Sequence, residues 1–228
     1  MTVDHILVAV PARDEEGTLA DCLRSVERAR DAVDVASSVV VVLDACTDGS
    51  AEVAHRFPGV RVIERDYANV GRSRHDAVLA GLAAVDTAPE RVWIAFTDAD
   101  SSVPRSWLRE HLRAARGADA YVGAVVPRLA ELDEARRRAW ERSHPPGATL
   151  GHVHGANLGV RADAYLRVGG FLPLFVGEDV DLVSRLRAAG GPVAESERHP
   201  VTTSSRLTGR APEGYAEYLR GLATWSSG

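Results

Sequence analysis

The 228-residue chain contains no lysine, so its 27 permanently positive side chains are all arginines. This absence excludes Schiff-base catalysis by lysine and the lysine-containing phosphate loop of P-loop proteins. Cysteine is also scarce, and Cys22 and Cys46 are too few for a disulfide framework. A reducing compartment is therefore expected, and we predict a cytoplasmic location.

Long apolar runs are missing as well. No stretch approaches the roughly 20 residues that a helix needs to cross a bilayer, so no integral membrane segment is expected. The N-terminal residues lack the charged and apolar regions of a signal peptide, and none is predicted. The formal net charge of -5 offers no broad basic surface, so no nucleic-acid partner is expected. An anionic ligand would have to be held by a local site.

Short apolar runs alternate with helical patterns through the first half of the chain. The predicted strands are 6–10, 39–43, 60–63 and 92–96, and the predicted helices are 15–30, 51–56 and 72–85. Strands that are apolar throughout are typical of a parallel sheet covered on both faces. The predicted fold class is therefore α/β, with a Rossmann-like, mostly parallel central sheet flanked by helices on both faces.

The second half is less regular. We predict a strand at 121–126, a loop at 144–154, and helices at 129–142, 162–168, 179–189 and 212–222. The tail, 201–219, is expected to return across the ligand site instead of extending the sheet. No linker divides the chain, so a single domain over 1–228 is predicted.

Two aspartates, Asp98 and Asp100, directly follow the fourth predicted strand in the run W-I-A-F-T-D-A-D. Alternate residues of an extended segment point to the same side, so both carboxylates can face one cation. Mn2+ and Mg2+ favour such oxygen ligands and often retain positions for phosphate oxygens. A solvated acidic turn before a helix would contain the same residues, and this pair alone does not decide between the two interpretations.

Polar residues follow the first two strands too. The run P-A-R-D-E occupies 11–15, and Asp44 ends the second strand. Ligands of parallel sheets bind outside the carboxyl ends of the strands, so these groups predict one site at that edge. Asp44 could instead be a turn residue that binds its own backbone. Arg72 and Arg74, at the start of the predicted helix 72–85, are further candidates for this site, and they could instead be ordinary exposed helix arginines.

Five motifs between Ile6 and Leu186 resemble family 2 glycosyltransferases and occur in that family's order. The matching segments are V-A-V-P-A-R-D-E-E, V-V-V-V-L-D-A-C-T-D-G-S, N-V-G-R-S-R-H-D-A-V, H-G-A-N-L-G-V with the later G-G-F, and V-G-E-D-V-D-L-V-S-R-L, beside the D-A-D pair. Two positions depart from the family pattern. Asp14 stands where asparagine is usual, and Leu43 replaces the first of two aspartates.

The resemblance implies a GT-A fold and a metal-dependent, inverting transfer of a sugar from UDP or another nucleotide to an acceptor hydroxyl. It implies Asp179 as the catalytic base, with Glu178 in support. Mn2+ or Mg2+ would be held by Asp98 and Asp100, with His199 as a third candidate ligand or else a surface histidine. The implied nucleotide-sugar-binding residues are Pro11, Ala12, Arg13, Glu15, Asp44, Arg72, Arg74, Asp98, Ala99, Asp100 and Arg206. The implied acceptor-binding residues are Gly155, Ala156, Asn157 and Glu178.

The predicted domain has a nucleotide-sugar-binding half, about 1–100, and an acceptor-binding half, about 101–228. In the second half, the hydroxyl run 203–205 beside Arg206 and Arg210 suits a diphosphate and suggests a C-terminal lid, with an ordinary exposed loop as the alternative. A non-catalytic nucleotide-binding protein of the same fold is the alternative function, because Asp14 and Leu43 depart from the family pattern.

Overall fold

The computed structural model describes residues 2–209 and 214–222. Its strands are β1 (His5–Ala12), β2 (Ala36–Asp44), β3 (Val60–Arg65), β4 (Val92–Phe96), β5 (Ala120–Pro127), β6 (Leu158–Arg161) and β7 (Val193–Thr203). Its helices are α1 (Leu19–Arg30), α2 (Ser50–His55), α3 (Val70–Leu82), α4 (Trp107–Ala114), α5 (Glu134–Ser143), α6 (Ala162–Arg167), α7 (Glu178–Ala188) and α8 (Tyr215–Gly221). Within these described ranges, no helix is both long and apolar enough to cross a bilayer.

The seven strands form one sheet in the order β3-β2-β1-β4-β6-β5-β7. The pairs β1–β2, β2–β3, β1–β4 and β5–β7 are parallel, whereas β6 runs antiparallel to both of its neighbours. The carboxyl ends of β1, β2 and β4 therefore lie at the same edge of the sheet. This architecture confirms the predicted α/β fold with a mostly parallel sheet.

Two apolar layers cover the faces of the sheet. Ile6 and Val8 of β1 pack with α1 and α4, while the alternating Leu7 and Ala9 pack with α3, α6 and α7. Successive side chains of a strand point to opposite faces, so a strand buried on both faces must be apolar throughout. This requirement explains why the four strands of the first half were predictable from apolar runs.

The sequence did not predict β6 or β7. The strand β7 contains the polar run A-E-S-E-R-H-P, and its residues 201–203 pair with 125–127 of β5. The expectation that the tail would not extend the sheet is therefore wrong for 201–203. An edge strand can be polar because backbone hydrogen bonds form its ladder and one of its edges faces solvent. The predicted helix 129–142 is divided, since α5 begins only after Asp133, whose side chain accepts from Arg136 N.

A neutral histidine of α4 lies in the core. His111 is fully buried, and its Nδ1 accepts a 3.0 Å hydrogen bond from Trp93 Nε1. The rings of Trp107 and Tyr121 each lie 4.8 Å away, centroid to centroid. Burial lowers the pKa of His111 from 6.5 to about 3, because the apolar surroundings disfavour the imidazolium.

We expect this histidine to weaken the fold in acid. A histidine whose folded pKa is lowered binds fewer protons in the native state, so its stabilising effect is present above pH 6.5 and declines as the pH falls towards 3. Lowering the pH from 7 to 5 should reduce the free energy of unfolding by about 2 kcal/mol through His111 alone. Urea titrations of the wild type and of His111→Gln, which does not titrate, measure this difference. Equal losses in the two proteins would contradict it.

Candidate active site

The predicted carboxylate pair lies at the carboxyl edge of the sheet, just beyond β4. The side chain of Asp98 is 33% exposed and that of Asp100 is 11% exposed. Two such carboxylates repel each other unless positive charge compensates them. In the described part of the chain, two arginines from distant segments provide that compensation: Arg74 pairs with Asp98, and Arg206 pairs with Asp100.

Arg74 connects the pair to α7. This arginine projects from α3, is almost completely buried, and donates from Nη2 to Asp98 Oδ1 at 2.6 Å. Its Nη1 donates to Oε1 of Glu178, the first residue of α7. Burial disfavours the Arg74 cation, but Asp98 and Glu178 outweigh that effect and raise its pKa. The sequence predicted a nucleotide contact for Arg74, whereas the structure makes it an internal bridge between two carboxylates.

Arg206 closes the other side of the cluster. It follows β7, and it donates from Nη1 to Glu15 Oε1 at 2.7 Å. Its Nη2 lies 3.0 Å from Asp100 Oδ2. Burial raises the pKa of Asp100, the neighbouring Asp98 adds to that rise, and Arg206 opposes it. The structure therefore brings Glu15, Asp100 and Arg206 together, over a separation of 191 residues between Glu15 and Arg206.

One participant was missed from the sequence. Arg128, just after β5, donates from Nη2 to the backbone oxygen of Asp100 at 3.2 Å. No local signal distinguishes this arginine from the other 26. Among the residues that the structure describes, the cluster then contains five carboxylates and three guanidinium groups. Its carboxylates are Glu15, Asp98, Asp100, Glu178 and Asp179, and its guanidinium groups are those of Arg74, Arg128 and Arg206.

The carboxylate of Asp179 is held by two backbone amides. Gly155 N donates to its Oδ2 at 2.7 Å, and Val180 N donates to its Oδ1 at 2.8 Å. A Cβ at position 155 would lie 2.3 Å from Arg74 Nη2, so only glycine lets this segment approach the buried arginine. The structure thus places the predicted acceptor residue Gly155 directly beside the predicted base.

The two residues after Gly155 correct the sequence prediction. Ala156 is buried, and Asn157 is fully inaccessible to solvent. Asn157 Oδ1 accepts from Trp107 Nε1 at 3.0 Å, and Asn157 Nδ2 donates to Ala124 O at 2.8 Å. The Asn157 side chain is occupied by these two hydrogen bonds, and both residues shape the core beneath the site.

Asp44 also differs from its predicted role. Its carboxylate is 4% exposed and accepts four hydrogen bonds, which come from Tyr67 N, Ala68 N, Asn69 N and Ser73 Oγ. A carboxylate has about four acceptor positions, so this one is saturated by the loop that leads into α3. Asp44 organises that loop, and its carboxylate is not available to bind a nucleotide sugar in this arrangement.

The remaining residues that were predicted to bind the nucleotide sugar divide into two groups. Pro11, Ala12 and Ala99 have buried side chains, so only their backbone can line the site. Arg13 and Arg72 have exposed side chains, and the Arg72 guanidinium stacks 3.9 Å from the centroid of the Tyr67 ring. Arg13 directly follows β1 and Arg72 lies in the first turn of α3, so both remain candidates for ligand contacts.

The predicted third metal ligand lies elsewhere. His199 has a positive φ of 55° within β7, and its Nε2 lies 3.9 Å from Glu110 Oε1 of α4. It lies in the irregular part of β7 between Ser196 and Val201, where the pairing with β5 shifts, ahead of Thr203, whose hydroxyl contacts Asp100. The sequence prediction relied on chain order, which does not show that β7 carries this ring towards α4. Arg210 lies outside the described residues.

A second acidic group follows β1 and β2. The potential ligand atoms of Asp14, Cys46 and Asp48 lie within 4.8 Å of one another. However, Asp14 Oδ1 accepts from Thr47 N at 2.7 Å, and both Asp48 oxygens accept backbone hydrogen bonds. Burial raises the pKa of the Cys46 thiol. These contacts connect the loop after β1 to the loop after β2. Asp14 contributes to them by accepting hydrogen bonds from Thr47.

Comparison with known proteins gives the family. A family model described as glycosyl transferase family 2 matches residues 7–165, which is well over half of the chain. No curated protein matches the sequence significantly. The structure of S. aureus TarS 1-349 in complex with UDP-GlcNAc has a TM-score of 0.68 and 14% identity, over 94% of this chain and 62% of that one.

A mannosyltransferase, PcManGT from Pyrobaculum calidifontis, in complex with GDP-Man and Mn2+, is similarly related. Its TM-score is 0.65 at 16% identity, over 98% of this chain and 70% of that one. These likenesses confirm the predicted GT-A glycosyltransferase fold. The family model's match over 7–165 identifies this chain as a member of glycosyl transferase family 2.

Proposed function

We propose that this chain is a metal-dependent, inverting glycosyltransferase that moves a sugar from a nucleotide sugar to an acceptor hydroxyl. The main observation behind it is that the carboxylates of Asp98, Glu178 and Asp179 surround the buried Arg74 at the carboxyl edge of the sheet, with Asp100 two residues after Asp98. Solved relatives of the same fold are complexes with UDP-GlcNAc and with GDP-Man and Mn2+, which supports a nucleotide-sugar donor here.

The residues at the end of β4 suit a divalent cation. Asp98 and Asp100 provide carboxylate oxygens two residues apart, and the carboxylates of Glu15 and Glu178 lie in the same ion-pair cluster. Of the described arginines, only Arg74 pairs with Asp98, and it does so through Oδ1. Mn2+ or Mg2+ held by these two aspartates would stabilise, as a Lewis acid, the negative charge of the departing diphosphate.

The protein's own residues can perform the other steps. Asp179 is partly exposed at the N-terminus of α7, and its two backbone hydrogen bonds fix the carboxylate beside Gly155. An acceptor hydroxyl there would transfer its proton to Asp179 while its oxygen attacks the anomeric carbon. The bond between that carbon and the diphosphate breaks on the opposite face, which inverts the configuration. Glu178, bound to Arg74, positions Asp179 and does not contact the reacting atoms.

The donor can be identified by stabilisation of the native state. We expect UDP, GDP or one of their sugar conjugates, with Mn2+ present, to raise the melting temperature by roughly 5–10 °C at 100 times its dissociation constant. The panel contains UDP, GDP, UDP-GlcNAc and GDP-Man, each with Mn2+ and with EDTA. A melting temperature that no compound raises beyond the effect of Mn2+ alone would contradict the proposed function. Stabilisation without any sugar-nucleotide hydrolysis would favour the non-catalytic alternative.

A further inference from the structure

Five aromatic rings from three segments meet beside the proposed catalytic base. We call them the aromatic wall: Trp140 and His144 at the end of α5, His154 before Gly155, and Tyr215 and Tyr218 of α8. The rings of Trp140 and His144 are stacked, 4.2 Å apart with an interplanar angle of 6°. The ring centroids of His144 and Tyr218 are 5.9 Å apart, and so are those of Tyr218 and Tyr215. The ring centroids of Tyr215 and His154 are 5.8 Å apart.

The wall is continuous with the proposed active site. Gly155, the residue after His154, donates its backbone N–H to Asp179 Oδ2 at 2.7 Å. Burial lowers the pKa of His154, an effect that the nearby carboxylate of Asp179 opposes. The ring of His154 is therefore neutral at pH 7. A ligand against the wall would lie next to the carboxylate that is proposed to take the acceptor's proton.

Packing accounts for only part of the wall. Trp140 belongs to a small apolar cluster with Leu219 and Leu222, which joins α5 to α8. Tyr218, by contrast, is 41% exposed, and His144 is half-buried. Hydroxyl groups lie at the open edge, since Tyr218 Oη is 3.4 Å from Ser143 Oγ. The outer surface thus combines flat apolar faces with hydrogen-bonding groups.

We propose that the aromatic wall is an acceptor subsite that binds a sugar ring, so that the acceptor hydroxyl belongs to a carbohydrate. The apolar C–H face of a pyranose fits against an aromatic ring, while its hydroxyls find partners at the edge. Rings of this kind suit a neutral ligand, whereas a phosphorylated acceptor would call for guanidinium groups. The inference rests on the proposed function, because it takes Asp179 as the base.

Direct sugar binding tests the subsite without transfer. Saturation-transfer NMR would use cellobiose, maltose and diacetylchitobiose with the full chain, UDP or GDP, and Mn2+. We expect ring-proton saturation of at least one disaccharide, an affinity about tenfold lower in Tyr218→Ala, and near wild-type affinity in Tyr218→Phe. His144→Ala should weaken binding as well. Leu79→Ala removes a similarly exposed apolar side chain (44% exposed) from α3 and should change nothing.

Two results would overturn the subsite, and a third concerns the function instead. Saturation of no disaccharide, while the nucleotide is bound, would remove the sugar subsite and leave the donor proposal standing. Unchanged affinity in both Tyr218→Ala and His144→Ala, each with a wild-type melting temperature, would place any bound sugar elsewhere. Failure of the nucleotide itself to bind would instead contradict the proposed function. Ring-proton saturation of a disaccharide would still show whether the aromatic wall binds a sugar.

Discussion

Replacing Asp179 by asparagine is expected to lower turnover by roughly 10²–10⁴-fold while nucleotide-sugar binding persists. Asparagine preserves the shape of the side chain but cannot accept the proton of an attacking hydroxyl. One of the hydrogen bonds from Gly155 N and Val180 N would be lost, because asparagine has a single acceptor oxygen. We expect that loss to reduce the free energy of unfolding by only about 1 kcal/mol, which a thermal melt separates from the loss of chemistry.

Hydrolysis of the donor by water provides a readout that does not require the acceptor. The substrate would be whichever of UDP-GlcNAc and GDP-Man stabilises the protein with Mn2+. Asp181→Asn is the matched control, since Asp181 lies in the same first turn and pairs with Arg185 of its own helix. This control should hydrolyse the donor at the wild-type rate. Equal turnover in Asp179→Asn and the wild type would remove Asp179 from the mechanism.

Replacing Arg74 by methionine should cause the largest loss of stability. Methionine keeps much of the side-chain volume but leaves the carboxylates of Asp98 and Glu178 without their buried partner. Breaking a buried ion pair from one side costs about 3–5 kcal/mol. For a chain of this length that corresponds to a fall of roughly 10 °C in the melting temperature. Arg72→Met, two residues earlier on the exposed surface of α3, should change the melting temperature little.

The stability lost in Arg74→Met should also depend on pH. Burial raises the pKa of Glu178, and Arg74 opposes that rise, so the pKa should rise further in Arg74→Met. A carboxyl group whose pKa is raised in the folded state lowers the free energy of unfolding as the pH increases through that pKa. The difference between wild type and variant should therefore shrink as the pH falls and Glu178 becomes protonated. Thermal melts at several pH values measure it, and a constant or growing difference would contradict the assigned ion pair.

The parts of the fold that the sequence predicted are those with a local code. Strands buried on both faces must be apolar, and Asp98 and Asp100 mark the end of such a strand. The edge strand β7 has no comparable requirement, so its polar residues read as a loop. The bend that brings His199 close to Glu110 likewise has no signal in the sequence.

The site was predicted as a set of residues but not as a set of contacts. Asp44 is saturated by donors 23 to 29 residues later, and Asn157 is held by Trp107, 50 residues earlier. Arg74 was predicted as a ligand contact, yet its partner Glu178 lies 104 residues away. Residue type shows which groups can carry charge or accept hydrogen bonds. The choice of partner depends on the tertiary structure, and no single-sequence pattern records it.

Asp98 and Asp100 are proposed to bind a nucleotide diphosphate through a divalent cation. Calorimetric titration with UDP and with GDP, in Mn2+ and in EDTA, tests it on the wild type, Asp100→Asn and Asp133→Asn. The last is a control, because Asp133 caps α5 and asparagine caps a helix equally well. We predict Mn2+-dependent binding in the wild type and the control, and at least a tenfold loss in Asp100→Asn. Equal affinity in all three proteins, with or without Mn2+, would contradict this role of the two aspartates.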